Sequence, residues 1–287
     1  MIRLGYGTNG FAGHRLADAC AVIAGLGYEG IALTLDQPHL DPFADDVAAQ
    51  IAYARRTIDS HGLACVVETG SRYVLDPWHK HEPTLVSNDG RERRVDLLRR
   101  AVRIAHELGA EAMSCWSGTL PDNVDDDEAW RRVTDGLGPV LDDAAQLGVT
   151  CCFEPEPGMF VATVDDALEL RDRLGAPDHL RLTVDLGHLV CNEPSTPAES
   201  IAKAGDLIGN VQVDDMVRDV HEHLELGTGA LDLDAVLASL IATGYEGLAC
   251  VELPRHSHAA PTVARSTMEA LRSTLDRLEA GVREETA

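Results

Sequence analysis

Four short stretches of this chain end in side chains that can bind a cation or move a proton. CCFEPEPG (151–158) offers Glu154 and Glu156, and TVDLGH (183–188) offers Asp185 and His188. NVQVDD (210–215) offers Gln212, Asp214 and Asp215, and CVELPRHSH (250–258) offers Glu252, Arg255, His256 and His258. Carboxylates joined by an amide oxygen form a hard ligand set suited to Mg²⁺, Mn²⁺ or Co²⁺, with Zn²⁺ admissible where imidazole joins. One such Glu alone would be an ordinary solvated or capping carboxylate. Delivered together to one place, these groups describe a metal centre with acid–base capacity.

What must bring them together is a run of strands. Apolar, β-branched-rich segments occur at 2–8, 30–36, 63–69, 112–118, 149–155, 180–186, 208–214 and 248–254. Continuous apolar runs of this kind fit parallel strands covered on both faces. Between them lie segments such as RLADACAVIAGLG, ADDVAAQIAYARRTIDSHG and DLDAVLASLIATG, whose apolar residues recur at three and four as in amphipathic helices. LGYEGIAL (26–33) and TGYEGLAC (243–250) nearly repeat each other. Glycines at 27, 62, 109, 148, 175, 205 and 244 mark helix stops before successive strands. This is a βα unit repeated roughly every 40 residues. Eight strands alternating with eight helices predict a single (β/α)8 TIM barrel, spanning about 2–280 with a short tail at 281–287. The first strand carries no GxGxxG, which argues against a dinucleotide fold.

Links from helix to strand are short, whereas several from strand to helix are long. The longest, 70–90, contains Arg72, Tyr73, Trp78, His79, Lys80 and His81. In a barrel such links gather at the C-terminal face, where active sites are built, and a loop this long reads as a lid or binding loop. Glu68, Trp116 and Ser117 should face the same cavity, with Tyr6 and Asn9 at its floor. Glu156 reads as a loop carboxylate, His61 and His106 as structural helix residues, and the G-x-G at 227–229 as a loop device.

The segments FEPEPG, TVDLGH, the Q-x-x-D of 212–215, HLELGTGALDLDAVLASL, GYEGL and CVELPRHSH resemble the xylose-isomerase-like TIM-barrel superfamily. The resemblance covers nearly the whole chain and is strongest over 149–258. It implies one metal held by Glu154, Asp185, Gln212 and Glu252. Most members have His at the third position, although the hydroxypyruvate-isomerase-like branch uses Gln. The departure favours Mn²⁺ or Mg²⁺, and His221 or His223 could supply the missing imidazole. The resemblance also implies that His188 and His223 face the substrate; Arg72 in the long loop, and Arg255 and His256 at the end of the eighth strand, are read from their positions as further contacts. The expected function is a metal-dependent isomerase or epimerase of a sugar-like α-hydroxycarbonyl compound, with Glu154 and Glu252 exchanging a carbon-bound proton. A lyase or dehydratase could use the same site. Endonuclease IV-like hydrolysis would want more His ligands, and a non-catalytic binding barrel would not need the ligand set.

Composition limits the partners. Of 287 residues, 24 are Lys or Arg and 48 are Asp or Glu, a formal net charge of −24. A surface that negative repels phosphate backbones, so no nucleic-acid partner is expected. RERRVDLLRR (91–100) mixes signs at helical spacing and reads as a solvated helix face. Lys80 and Lys203 are the only lysines, and neither ends a strand, which leaves little for Schiff-base chemistry. No apolar run reaches a membrane span, and the opening MIRLGYGTNG lacks the pattern of a signal peptide. Seven cysteines without a CxxC pair read as reduced and structural, which points to a cytoplasmic protein with a small-molecule substrate. Homo-oligomerisation is a further expectation from the resemblance.

Overall fold

Residues 2–285 are described in a computed structural model, with side chains through Gly281. Eight parallel strands close into a barrel. They are β1 (Arg3–Gly7), β2 (Gly30–Thr34), β3 (Ala64–Glu68), β4 (Met113–Cys115), β5 (Cys151–Phe153), β6 (Leu180–Asp185), β7 (Ile208–Val213) and β10 (Leu248–Val251). Their order round the barrel is β1-β10-β7-β6-β5-β4-β3-β2. The helices are α1 (Leu16–Gly25), α2 (Val47–Ser60), α3 (Arg91–Leu108), α4 (Asp126–Leu147), α5 (Val164–Arg173), α6 (Leu186–Asn192), α7 (Pro197–Ala204), α8 (Leu233–Ala242) and α9 (Ala260–Glu285). The expected single (β/α)8 barrel is therefore the fold.

Period-two alternation sorts each strand's residues. Ile31, Leu33, Val67, Phe153, Val184, Val211 and Val251 point outward into the large core shared with the helices. Ala32, Val66, Ala112, Cys152, Leu248 and Cys250 fill a smaller cluster inside the barrel. Two residues beyond Cys152 stands Glu154, and two beyond Cys250 stands Glu252, so the strand period aims both carboxyls at the barrel axis. The inside is tight. A Cβ on Gly5 would lie 2.4 Å from Cys250 Sγ, and one on Gly30 would lie 2.5 Å from Leu248. The seven helix-stop glycines all adopt positive φ, as the repeat reading requires.

Three features depart from expectation. The link after β6 is not irregular throughout: GHLVCN lies in helix α6, because the Asp185 carboxylate accepts the His188 amide at 2.9 Å and caps it. Among the described residues nine α-helices result, α6 and α7 sharing one crossover. The link after β7 holds an antiparallel hairpin, β8 (Asp215–Val217) with β9 (Val220–Leu224), turning at Asp219 with φ 62°. Finally, α9 continues to Glu285, into the segment read as a tail, whose residues 286–287 lie outside the described ones. The G-x-G of 227–229 is a loop device as expected. The buried Asp215 carboxylate accepts the amides of Gly227, Gly229 and Leu231 at 2.8–3.0 Å.

All seven cysteines are free and buried. Burial pushes the Cys20 thiol up to about 11 and the Cys151 thiol up to about 12. A thiol kept neutral and out of solvent is a poor nucleophile. At pH 8 the native protein should therefore consume less than one equivalent of a thiol reagent in the time the unfolded chain consumes all seven. Rapid reaction of several thiols in the folded protein would contradict this packing.

Candidate active site at the C-terminal end of the barrel

The barrel's C-terminal mouth opens into a cavity of about 670 Å³. Glu154, Gln212 and Glu252 line it, and Asp185 lies directly behind, paired in register with Gln212 across β6 and β7. Ligand atoms of Glu154, Asp185 and His188 lie within 4.8 Å of one another, as do those of Asp185, His223 and Glu252. Asp185 belongs to both groups and so joins the two flanking carboxyls. A third group, His188, His221 and His223, sits just above.

Each carboxyl is held by its neighbours. Asn9, in the turn after β1, donates to Glu252 Oε1 at 2.8 Å. His188 Nδ1 lies 3.5 Å from Glu154 Oε1. Beneath them runs a polar layer inside the barrel. Asn210 donates to Glu68 at 3.1 Å and to Thr183 at 3.3 Å, Thr183 meets Ser114 at 2.7 Å, and Ser114 reaches Glu154 at 3.5 Å. Such a connected layer fixes the carboxyls it touches.

The charge state follows from this crowding. Burial, and then repulsion from Glu252, hold Glu154 well above the usual carboxylate range. The same two causes push Glu68 and Glu156 up to about 8. Burial also raises Glu252, against the attraction of His223. Asp185 goes the other way: burial opposes its charge, but His188 and His223 outweigh that and keep it low. Burial drives His188 down to about 3, so it is neutral. Burial likewise opposes charge on His223, yet its 2.5 Å contact with Asp214, with Glu252 and Asp185 nearby, pushes it up to about 10.

A cation suits this donor set. Gln212 Oε1 is buried without a hydrogen-bond partner, whereas the side-chain amide bonds Glu68. An orphaned carbonyl-type oxygen among carboxyls that repel one another is a hard-ligand cradle. Glu154, Asp185, Gln212 and Glu252 would hold the ion, with His188 and His223 the adjacent imidazoles.

Of the other expected site residues, Glu68, Arg72, Trp116, His188, His221 and His223 line the cavity. Arg255 reaches the rim but is paired with Glu222. His256 is not in the cavity; it turns to Glu225, 3.6 Å away, because the 3-10 turn Pro254–Ala259 carries it outward. Tyr6 is not at the floor either. It packs edge-on between Phe11 and Tyr28 in the core, leaving Asn9 as the residue from the first strand's end that meets the site. Ser117 caps the Val161 amide instead of facing the cavity. Glu156 corrects the loop reading: it lines the cavity, 3.8 Å from His221. Asp36 and His39 also line it and were not anticipated, although Asp36 stands at a strand end that could have signalled it. The long 70–90 loop divides. Arg72, Lys80 and His81 face the cavity, whereas Tyr73 and Trp78 point to solvent. Arg94, read as part of a solvated face, is buried: it lies 4.5 Å over the Trp116 ring and bonds loop carbonyls.

Residues 20–274 match the xylose isomerase-like TIM barrel family. The chain belongs to that family. An L-ribulose-5-phosphate 3-epimerase of Escherichia coli (strain K12) is 24% identical over 234 residues, covering 79% of this chain and 78% of that protein. A solved L-ribulose 3-epimerase superposes with a TM-score of 0.80 at 19% identity, covering 100% of this chain and 99% of that one. A D-allulose 3-epimerase from Methylomonas sp. in complex with D-allulose gives 0.76 at 21% identity, covering 95% and 97%. At these identities the structural likeness speaks for the fold. The expectation of an isomerase-class enzyme is borne out at that level, the curated relative named above being a sugar epimerase. Among the described residues, no helix is long and apolar enough to cross a membrane.

Proposed function

We propose that this protein is a divalent-metal-dependent sugar epimerase or isomerase that moves a carbon-bound proton next to a carbonyl, using Glu154 and Glu252. The observation that carries this reading is the pair of buried carboxyls flanking Asp185 and Gln212, whose orphaned oxygen calls for a cation. An ion held by these four residues would supply electrophilic polarisation of the substrate's carbonyl and neighbouring hydroxyl oxygens, and so acidify the adjacent C–H.

The chain's own groups do the rest. Glu154 on the β5 side and Glu252 on the β10 side are separated by two strands, so they approach a bound sugar from different flanks. One removes the proton and the other returns it. Return to the same carbon from the opposite face epimerises, and return to the neighbouring carbon isomerises. Glu154, reached by Ser114, and Glu252, held by Asn9, are fixed in position to act as base and acid in turn. Neutral His188 can accept or donate to a hydroxyl, and protonated His223 can only donate, which orients the sugar between them.

The test is exchange in D₂O. Protein stripped with a chelator should be inactive on a panel of ketopentoses and ketohexoses, free and as phosphate esters or keto acids, and recover with Mn²⁺, Mg²⁺ or Co²⁺. The product should then carry deuterium at the carbon next to the carbonyl. Conversion without deuterium there, or full activity in the stripped protein, would defeat the proposal.

A further inference from the structure

We infer that the substrate carries an anionic group, a phosphate ester or a carboxylate, and that Arg72 and Lys80 at the cavity mouth bind it. This rests on the reading of the cavity as a sugar site. The two residues come from the loop after β3, and β3 stands opposite β7 in the ring of eight strands. Their charges therefore enter from the wall facing the Asp185–Gln212 pair. A substrate held at that pair by its carbonyl end would extend its far end toward them.

Neither side chain has a contact partner, although the charge of Arg72 reaches Glu252 and that of Lys80 reaches Glu156 through space. Among the described residues, Arg72 and Lys80 line the cavity without a hydrogen-bonded or ion-paired partner. Arg255 on the same rim is paired with Glu222, and Lys203, the other lysine, is paired with Asp165 at 2.8 Å. A chain of net charge −24 repels anions over its surface at large. Two unpaired cations at a sugar-sized opening reverse that field locally, and an Arg fork beside a Lys ammonium matches an oxyanion. The space is there too. About 670 Å³ is well within the roughly 300–1,000 Å³ of pockets that take drug-sized ligands, more than a five-carbon sugar fills.

Binding separates this inference from the chemistry, because a polyol without a carbonyl cannot react. Titration calorimetry on the Mn²⁺-loaded protein would compare ribitol, ribitol 5-phosphate and ribonate at low and high salt. The inference expects the phosphate or the carboxylate to bind at least tenfold more tightly than ribitol, by a margin that shrinks with salt. Which of the two leads identifies the group. Arg72→Met and Lys80→Met should each weaken the favoured anion severalfold, and the double variant should bring it to the level of ribitol. Two results overturn the inference: equal binding of all three polyols, or an anion advantage that survives in the double variant, which would place the anion on the metal. Neither bears on the proton transfer, which deuterium exchange reads separately. Unchanged melting of the variants checks their fold.

Discussion

Glu252→Gln protein, loaded with Mn²⁺, is expected to lose conversion of substrate to product by at least about a thousandfold. Removing a positioned acid–base group typically costs on the order of 10²–10⁴ in rate, and here the same carboxyl serves in both directions of the transfer. The amide keeps the shape of the side chain and one oxygen for the ion, so it removes the base with little change in packing. Asn9, which donates to Glu252 Oε1 at 2.8 Å, can turn its own amide to suit the new group. Glu154→Gln should give a loss of the same order, because removal of the proton and its return are both required for turnover. Metal content measured on each variant separates loss of the base from loss of the ion. A variant with a full complement of metal that retains more than a tenth of wild-type conversion of substrate to product would exclude its residue from the transfer. The two variants also differ in a useful way. With an epimerase, starting from each of the two epimers in turn should show which carboxyl faces which side of the carbon.

The strands and their aim were legible because they depend on local period. Once Cys152 and Cys250 are read as interior, Glu154 and Glu252 two residues on must share that face, and the C-terminal ends of parallel strands must meet. Gln212 was legible in the same way, its register with Asp185 following from parallel pairing. Less legible were residues whose placement depends on distant partners. Nothing local distinguishes Arg94 from Arg93 or Arg99 in RERRVDLLRR; its burial is decided by carbonyls at Thr69, His81 and Pro83. Glu156 enters the cavity because the hairpin of β8 and β9 brings His221 to it, and a hairpin written as V-H-E-H-L has polar residues on both faces, so its alternation is masked. His256 shows the opposite error. Its place in CVELPRHSH suggested the cavity, but the turn that starts before α9 rotates it away.

Arg94 is also where the largest loss of stability is expected. Its side chain is among the largest fully enclosed in the protein. The guanidinium donates to Pro83 O at 2.9 Å, to His81 O at 2.5 Å and, at 3.5 Å, toward Thr69 O, while its face lies over Trp116. Burial pulls its pKa down to about 10, which still leaves it charged at neutral pH. Arg94→Met keeps most of the apolar stem but strands these carbonyls, each costing about 1–3 kcal/mol when left buried and unsatisfied. A destabilisation of about 3–5 kcal/mol should follow in denaturant unfolding. Arg94→Lys keeps the charge but replaces a five-donor fork with a single ammonium and loses the flat stacking surface, so it should fall between the two. The same bonds tie down the loop that presents Arg72, Lys80 and His81, and they fix the Trp116 wall of the cavity. Loosening them spreads the loop over many conformations, and the fraction competent to bind falls. KM should therefore rise in Arg94→Lys more than kcat falls, since Glu154 and Glu252 stand directly at the ends of β5 and β10 and not on the loop. If Arg94→Met unfolds within about 1 kcal/mol of wild type, water must satisfy those carbonyls and the loop is not anchored there. If instead kcat falls in Arg94→Lys while KM is unchanged, the loop contributes to the proton transfer itself, and the division between a rigid catalytic base and a loop-built mouth would have to be redrawn.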